Sequence, residues 1–330
     1  NLLIIFGDFL FKIDLKKYFN FHLKKKSDLT ILSHPSDHLF DSDIIDLEED
    51  NKIKKIFFKP HKKRILTDNL TMAGIFIIKK KLLSEIPKKK KLDFSKFFLR
   101  KIISSDKKVF SYSTREYCKD FGTPQRLKKV RQDHNKSYLL YYSSRNKLPA
   151  VFLDRDGVLN KDLGPNEYSN PLNFLANALK ALKKLRNSKY LIVLVSNQSG
   201  VAKGFLTLKQ LKNSFKKYQM FLSKHNFYFD KIYFCPHHPT KGFIGENLKY
   251  KIICKCRKPK PGMLLKAKKD LNIDLANSYF IGDNYTDFQA AIKAKVMPIL
   301  VKKFKNIKGK YIYKKNVLSA TNYILKNANF

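Results

Sequence analysis

The stretch VFLDRDGVLN, residues 151–160, sets Asp154 and Asp156 at the end of an apolar run and follows them with Gly157. Two carboxylates this close repel each other, and proteins keep such pairs where a cation or a reaction stabilises them. An extended backbone puts both carboxylates on one side, and the side chain of Arg155 is expected to point away from them. The stretch predicts a strand whose C-terminal end carries reactive acids.

Apolar runs alternate with amphipathic segments from Pro149 onwards. The patterns AVFLD, YLIVLVSN, KIYFCP, SYFIGD and PILV predict strands, and a helix is predicted over residues 170–187. Strands that alternate with helices form parallel sheets covered on both faces, with functional residues at the C-terminal strand ends. We therefore expect a Rossmann-like, doubly wound α/β domain over residues 149–330.

The first half predicts another α/β domain, over residues 1–130. LLIIFGD, LTILSHP and AGIFII are typical of buried strands. Residues 40–58 are typical of a hairpin that turns at Asp50–Asn51. Residues 131–148 are polar and rich in Tyr, so a linker is predicted there. The chain starts inside a strand-like run and without Met, which leads us to expect that an N-terminal portion of this domain is missing.

The charge of the chain is extreme, with 68 Lys and Arg against 27 Asp and Glu and a formal net charge of +41. Nine of the basic residues are Arg, the side chain that reads bases through paired hydrogen bonds, and Lys is spread over both halves. The net charge makes a nucleic-acid-binding protein the alternative, but the small number of Arg and the even spread of Lys count against it. The same positive field would attract phosphorylated substrates. No apolar stretch approaches the roughly 20 residues of a membrane span, and we expect a cytoplasmic protein.

Further polar residues follow the other predicted strands of the second half. Ser196 and Asn197 end one strand, Arg257 and Lys258 precede a helix, and Asp283 ends another strand. Any one of them alone is more often a helix cap or a solvated side chain. Their order at the strand ends of one sheet favours a site that holds a phosphate.

Three of the four cysteines lie between positions 235 and 256. With His237, the residues Cys235, Cys254 and Cys256 form a Cys₃His set that suits tetrahedral Zn²⁺, and a closed set indicates a structural ion. His238 is an alternative to His237. A disulfide is the other alternative, but Cys254 and Cys256 are too close in sequence to bridge without strain.

FLDRDG, VSNQSG, CRKPKPG and IGDNYTD resemble the motifs of the haloacid dehalogenase (HAD) superfamily of phosphotransferases. The resemblance implies that Asp154 attacks phosphorus to form an aspartyl-phosphate, and that Asp156 is first a general acid and then a base. It implies Mg²⁺ bound by Asp154, Asp283 and the main-chain carbonyl of Asp156. Ser196 and Lys258 would then surround the transferred group.

Within this superfamily, FLDRDG, SNQSGVAKG, CPHHP, CKCRKPKPGML and FIGD closely resemble the heptose 1,7-bisphosphate 7-phosphatase family. The alternatives are a histidinol-phosphate phosphatase or another phosphatase of small phosphomonoesters. Histidinol-phosphate phosphatases share the zinc loop but usually with a shorter span than the sixteen residues between His237 and Cys254. The resemblance implies a small sugar phosphate as substrate. The resemblance also implies which residues contact the substrate: Arg155, Asp162, Leu163, Gly164, Pro165, Ser196, Asn197, Gln198, Ser199, Arg257, Lys258 and Asn284. Asn284 departs from the family, which often has Lys there.

IIFGD, NLTMAGIFII and DFGTP in the first half resemble the later part of sugar-phosphate nucleotidylyltransferases, of the heptose 1-phosphate guanylyltransferase type. The resemblance implies that Asp8 and Asp120 hold a catalytic Mg²⁺. The Gly-rich phosphate loop of those enzymes is not in this sequence, so we expect GTP binding and transfer only from a complete domain. A 7-phosphatase makes the heptose 1-phosphate that such a transferase consumes. The pairing predicts a bifunctional chain in heptose biosynthesis for lipopolysaccharide and other surface polysaccharides.

Overall fold

The computed structural model describes residues 1–36, 39–61, 65–87, 93–164 and 172–328. The chain divides between Asn146 and Lys147 into two units. The first contains β1 (Leu2–Ile5), β2 (Phe9–Lys12), α1 (Leu15–Lys24), β3 (Leu29–His34), β4 (Ile44–Leu47), β5 (Ile53–Phe57), β6 (Thr71–Ile78), α2 (Arg100–Ile103), β7 (Val109–Ser113), β8 (Tyr117–Asp120), α3 (Pro124–Asn135) and α4 (Tyr138–Tyr141).

The strands β1 and β3 to β7 of the first unit form a mixed sheet in the order β5-β4-β6-β3-β7, with β1 also paired to β6. The three predicted strands are confirmed as β1, β3 and β6, but β1, which was predicted to be buried, is mostly exposed, with Leu2, Leu3 and Ile5 among the exposed apolar side chains. The predicted hairpin is confirmed as the antiparallel pair of β4 and β5, and both Asp50 and Asn51 adopt left-handed backbone angles at its turn. Apolar side chains such as Leu29, Ile31 and Phe76 form the core beside this sheet.

The structure differs from the predicted linker over residues 131–148. Its first part lies in α3 and α4, which belong to the first unit. Asp133 on α3 is buried, accepts a hydrogen bond from the Tyr117 hydroxyl and pairs with Lys119 at 3.0 Å. These contacts with β8 hold α3 against the domain, which a polar sequence pattern does not reveal.

The second unit carries one parallel sheet of six strands in the order β11-β10-β9-β12-β13-β14. Its elements are β9 (Leu148–Leu153), α5 (Ala178–Arg186), β10 (Leu191–Asn197), α6 (Leu208–Ser223), β11 (Lys231–Cys235), α7 (Gly262–Leu271), β12 (Ile273–Gly282), α8 (Tyr285–Ala294), β13 (Met297–Leu300), β14 (Ile312–Tyr313) and α9 (Val317–Lys326).

The strand β9 lies in the middle of this sheet, and the chain continues first to β10 on one side and later to β12 on the other. Such a change of direction opens a crevice at the C-terminal strand ends. Val151 and Leu153 of β9 are buried in the same cluster as Leu182 and Leu185 of α5. The predicted doubly wound α/β fold is confirmed.

Two parts of the second unit were not predicted correctly. The helix expected over residues 170–187 begins at Ala178, and residues 170–171 lie outside the described residues. The segment before the helix is extended, because Phe174 forms a bridge with Asn160 and the main chain of Leu175 bonds to that of Leu159. The strand β14 and the helix α9 lie beyond the last predicted strand. Across the described residues, no helix combines the length and the apolar character of a membrane span.

Candidate active site and metal centre

A cavity of about 220 Å³ lies at the C-terminal ends of β9, β10 and β12. Ten of its twelve lining residues were predicted site residues: Asp154, Asp156, Asp162, Gly164, Ser196, Asn197, Ser199, Lys258, Asp283 and Asn284. The other two, Lys203 and Phe205, were not predicted. The parallel sheet therefore brings together acids, a lysine and hydroxyl groups that are up to 130 residues apart in the sequence.

Lys258 connects two carboxylates at the base of this cavity. Its Nζ lies 2.9 Å from Asp154 Oδ1 and 2.7 Å from Asp287 Oδ1, and it also donates to the Val195 carbonyl. Burial favours the neutral amine, but the carboxylates of Asp154 and Asp287 outweigh this and raise the pKa of Lys258. Burial also raises the pKa of Asp154, despite the opposing charge of Lys258. The site thus contains more carboxylate than its own lysine balances.

Asp283 follows β12 and completes a cluster of acids that could hold a metal ion. Ligand oxygens of Asp154, Asp283 and Asp287 all lie within 4.8 Å of one another. Burial, followed by the charge of Asp287, raises the pKa of Asp283 to about 6. Gly157 has a φ of +75°, and a Cβ at this position would collide with Asp283 Oδ2. Glycine is therefore required for the first turn after β9 to reach the cluster.

Asp156 is oriented by two side chains. Arg155 Nε lies 2.7 Å from Asp156 Oδ1 and Arg155 Nη2 lies 3.1 Å from Oδ2, while Gln198 Nε2 donates to Oδ2 at 2.9 Å. The expectation that Arg155 points away from its neighbours was wrong. The alternation of a strand ends with β9 at Leu153, so the buried guanidinium folds back onto Asp156.

Three further predicted substrate contacts do not line the cavity, and a fourth lies outside the described residues. Gln198 is fully buried and also donates to Ser196 Oγ, and Arg257 donates to the His237 carbonyl. Pro165 is outside the described residues. Leu163 is exposed and is not among the lining residues.

Asn197 fixes the main chain of the lysine. Its Oδ1 accepts from the Lys258 amide at 3.0 Å and its Nδ2 donates to the Lys258 carbonyl at 3.1 Å. Asn284 is the N-cap of α8, and its main-chain N–H donates to Asp287 Oδ2 at 3.0 Å. Both amides therefore hold the frame of the site as well as lining the cavity.

The three clustered cysteines and His237 meet at one point. The Sγ atoms of Cys235, Cys254 and Cys256 lie 3.2 to 3.5 Å apart, and His237 Nδ1 lies 3.3 Å from Cys256 Sγ. The cysteines form no disulfide. Hydrogen bonding from Cys235 lowers the pKa of Cys256 to about 5. His238 contacts the Thr240 carbonyl instead. Three sulfurs and a ring nitrogen in this arrangement fit a tetrahedral zinc site.

Comparison with known proteins separates the two units. The nucleotidyl transferase family model matches residues 1–137, and the HAD-hydrolase-like model matches residues 255–309. The D-glycero-beta-D-manno-heptose-1,7-bisphosphate 7-phosphatase of Yersinia pestis is 41% identical over 149 residues, which cover 45% of this chain and 77% of that protein. The chain belongs to this 7-phosphatase family.

Two other matches are also to heptose bisphosphate phosphatases. The 7-phosphatase of Vibrio cholerae is 44% identical over 148 residues, covering 45% of this chain and 77% of that protein. A crystal structure of the D,D-heptose 1,7-bisphosphate phosphatase from B. bronchiseptica, complexed with magnesium and phosphate, is 28% identical. It covers 55% of this chain and 100% of that chain, with a TM-score of 0.47.

Sequence reasoning gave no role to three residues of the site in this 7-phosphatase family member, two on a loop and one on a helix. Lys203 and Phe205 belong to the loop between β10 and α6, which carries no strand-end signal. Asp287 lies on the first turn of α8, where an acid is usually a helix cap. It does cap that helix, and it also forms an ion pair with Lys258, which only the structure reveals.

The acids predicted for the transferase half of the chain are neighbours in the structure. Residues Phe9 and Asp120 are partners in the antiparallel pair of β2 and β8, and the Phe121 amide donates to the Asp8 carbonyl. Arg126 donates to Asp120 Oδ1 at 2.6 Å. A cavity of about 660 Å³ in this unit is lined by Phe57, Leu66 and other mostly apolar residues and contains neither acid. The structure leaves the metal role of Asp8 and Asp120 as a prediction.

Proposed function

We propose that the second unit is a Mg²⁺-dependent phosphatase that removes the 7-phosphate of D-glycero-D-manno-heptose 1,7-bisphosphate. The observation that carries the proposal is the position of Asp154, a buried carboxylate that lines the cavity and is held by Lys258 at 2.9 Å. A buried carboxylate whose position a cation fixes is prepared to act as a nucleophile. The family match supports the same reaction.

The two carboxylate oxygens of Asp154 differ in their contacts, because two donors reach Oδ1. Both Lys258 Nζ and the Arg155 amide reach Oδ1, at 2.9 and 2.8 Å. We infer that Oδ2 attacks phosphorus, so that a bond from Oδ2 to phosphorus forms as the bond to the sugar oxygen breaks. Water then cleaves this aspartyl-phosphate and returns the carboxylate.

Asp156 is the proton carrier in this proposal. Arg155 and Gln198 orient its carboxylate at the cavity wall, within the same turn as the nucleophile. In the first step it gives a proton to the leaving sugar oxygen, and in the second it takes a proton from the attacking water. One residue can do both because the second step reverses the proton flow of the first.

The oxygen-rich cluster fits Mg²⁺, which prefers carboxylate and carbonyl ligands. We propose Asp154, Asp283 and the main-chain carbonyl of Asp156 as its ligands. Asp287 accepts from the amides of Asp283 and Asn284 and pairs with Lys258, so its role is to hold the lysine. When bound, Mg²⁺ would reduce the repulsion between the nucleophile and the phosphate.

The remaining lining residues would bind the substrate. Ser196 and Lys258 face the transferred phosphoryl group, and Asn197 acts beside them. The sugar side of the cavity would be formed by Asp162, Gly164, Ser199 and Asn284. We propose that the Cys₃His site binds a structural Zn²⁺ through Cys235, His237, Cys254 and Cys256.

We further propose that the chain is bifunctional, with its first 130 residues part of a transferase that uses GTP and heptose 1-phosphate. The phosphatase domain would begin near residue 149. A cytoplasmic location stays a prediction, as does the absence of transferase activity from this chain alone.

A phosphate-release assay with Mg²⁺ tests the proposed reaction. The substrates are both anomers of heptose 1,7-bisphosphate, fructose 1,6-bisphosphate and histidinol phosphate. We expect kcat/KM to be highest for one heptose anomer. Turnover of histidinol phosphate that equals or exceeds it would refute the heptose assignment.

A further inference from the structure

The zinc loop, residues 236–253, packs on the β10–α6 loop, residues 198–206. The Asn247 amide donates to the Ala202 carbonyl at 3.0 Å. Gly204 has a φ of +83°, and a Cβ there would collide with the carbonyl oxygen of Gly245. The two backbones therefore touch on both sides of Lys203.

The side chain of Phe243 in the zinc loop contacts two lysines. Its ring centroid is 4.2 Å from Lys251 Nζ and 4.8 Å from Lys203 Nζ. Lys251 is buried and pairs with Glu246 at 2.8 Å, so its charge is balanced inside the loop. Lys203 is only partly buried and lines the active-site cavity. The aromatic face holds its ammonium group without neutralising it.

The two lysines of the cavity differ in whether their ammonium groups are already paired with carboxylates. Lys258 is enclosed by Asp154 and Asp287 at the base. Within the described parts of the chain, no carboxylate lies within 4.0 Å of Lys203 Nζ. The cavity thus offers one ammonium group committed to the nucleophile and a second that is available to an anion.

We propose that Lys203, held in place by Phe243, binds the anionic group of the substrate that is not hydrolysed. This inference rests on the proposed function, because a sugar bisphosphate carries a second phosphate and a monophosphate does not. An ammonium group and a phosphate form a strong charge-assisted hydrogen bond. The zinc loop would then contribute to substrate choice through Phe243.

The test compares two substrates in one series of variants. In Lys203→Met, we expect the ratio of kcat/KM for heptose 1,7-bisphosphate over kcat/KM for p-nitrophenyl phosphate to fall about tenfold, mainly through KM. Lys203→Arg keeps the charge and should restore most of the ratio. Lys209→Met removes the same charge from an exposed residue of α6 that does not line the cavity, and should keep the ratio of the unchanged protein.

The aromatic ring gives a second comparison. Phe243→Tyr keeps a face for the ammonium group and should keep the ratio, whereas Phe243→Leu should lower it in the same direction as Lys203→Met. Thermal unfolding of each variant reports any loss of the zinc loop. A Phe243→Leu protein with unchanged melting and an unchanged ratio would overturn the role of the ring.

The outcomes separate this inference from the proposed function. If the unchanged protein hydrolyses the bisphosphate well and Lys203→Met keeps its ratio, the inference is wrong and the proposed function stands. An equal loss on both substrates would also overturn it, since Lys203 would then serve the transferred phosphate. If the unchanged protein does not prefer the bisphosphate, the proposed function fails first.

Discussion

Arg155 binds both carboxylate oxygens of its neighbour Asp156, with Nε at 2.7 Å from Oδ1 and Nη2 at 3.1 Å from Oδ2. The guanidinium is nearly fully buried and lies over the ring of Phe215. An arginine paired in this planar way sets the direction of a carboxylate more strictly than a single donor would. The pair places Asp156, the proposed proton carrier, at the cavity wall beside Asp154, the proposed nucleophile.

Arg155→Lys tests this positioning. A lysine cannot hold both oxygens, so we expect kcat for heptose 1,7-bisphosphate to fall by about 10- to 100-fold with a small change in KM. The loss should be much smaller with p-nitrophenyl phosphate, whose leaving group needs no proton. Equal losses on the two substrates would indicate general damage to the site, which thermal unfolding would detect.

Gly157→Ala tests the contact between the first turn and the metal cluster. A methyl group at this position collides with Asp283 Oδ2, and the positive φ adds strain. We expect activity to fall more than about 100-fold and the Mg²⁺ requirement to rise. Gly7→Ala is the control, because nothing lies within 4 Å of a Cβ there. Normal activity of Gly157→Ala would contradict the arrangement.

The adjacent histidines give a matched test of the zinc site. His237→Asn removes a proposed ligand, and we expect zinc content to fall and the melting temperature to drop by about 10 °C or more. His238→Asn should keep the zinc, because this ring contacts Thr240. Cys118→Ser, outside the cluster, should also keep it. Metal analysis that finds equal zinc in His237→Asn and His238→Asn would rule out the proposed ligand set.

The pKa of Asp283, raised to about 6 by burial and by Asp287, predicts how Mg²⁺ binding depends on pH. A proton and the ion compete for this carboxylate. Affinity for Mg²⁺ should be constant above about pH 7 and should weaken by roughly tenfold for each pH unit below 6. Calorimetric titration at pH 7.5 and pH 5 measures this. The same affinity at both values would show that Asp283 does not bind the ion.

Most of the acids at the bottom of the cavity, and the Cys₃His set, could be predicted from the sequence. Asp154 and Asp283 follow apolar strands, and parallel strands bring their C-terminal ends to one edge. The cysteines and His237 are close enough in sequence to define a metal set. These features depend on local spacing and on the regular geometry of one sheet.

The remaining features depend on contacts that spacing does not encode. The orientation of Arg155 follows from the end of β9 at Leu153, and Lys203 reaches the cavity because Phe243 and Gly245 pack against its loop. The unpredicted helix α9 contributes Val317 and other residues to the core from beyond the last expected strand. Such placements follow from tertiary packing, which a single sequence pattern does not determine.

We propose that Asp154 forms a covalent bond to the phosphate taken from C7 of heptose 1,7-bisphosphate. The most direct measurement is a rapid acid quench during turnover, followed by mass analysis of the peptide that contains Asp154. We expect a phosphoryl group on that peptide in the unchanged protein. The Asp154→Asn protein should show none, and its phosphate release should be slower by a factor of about 10⁴ or more. Full activity of Asp154→Asn, or a phosphoryl group on another residue, would contradict the account.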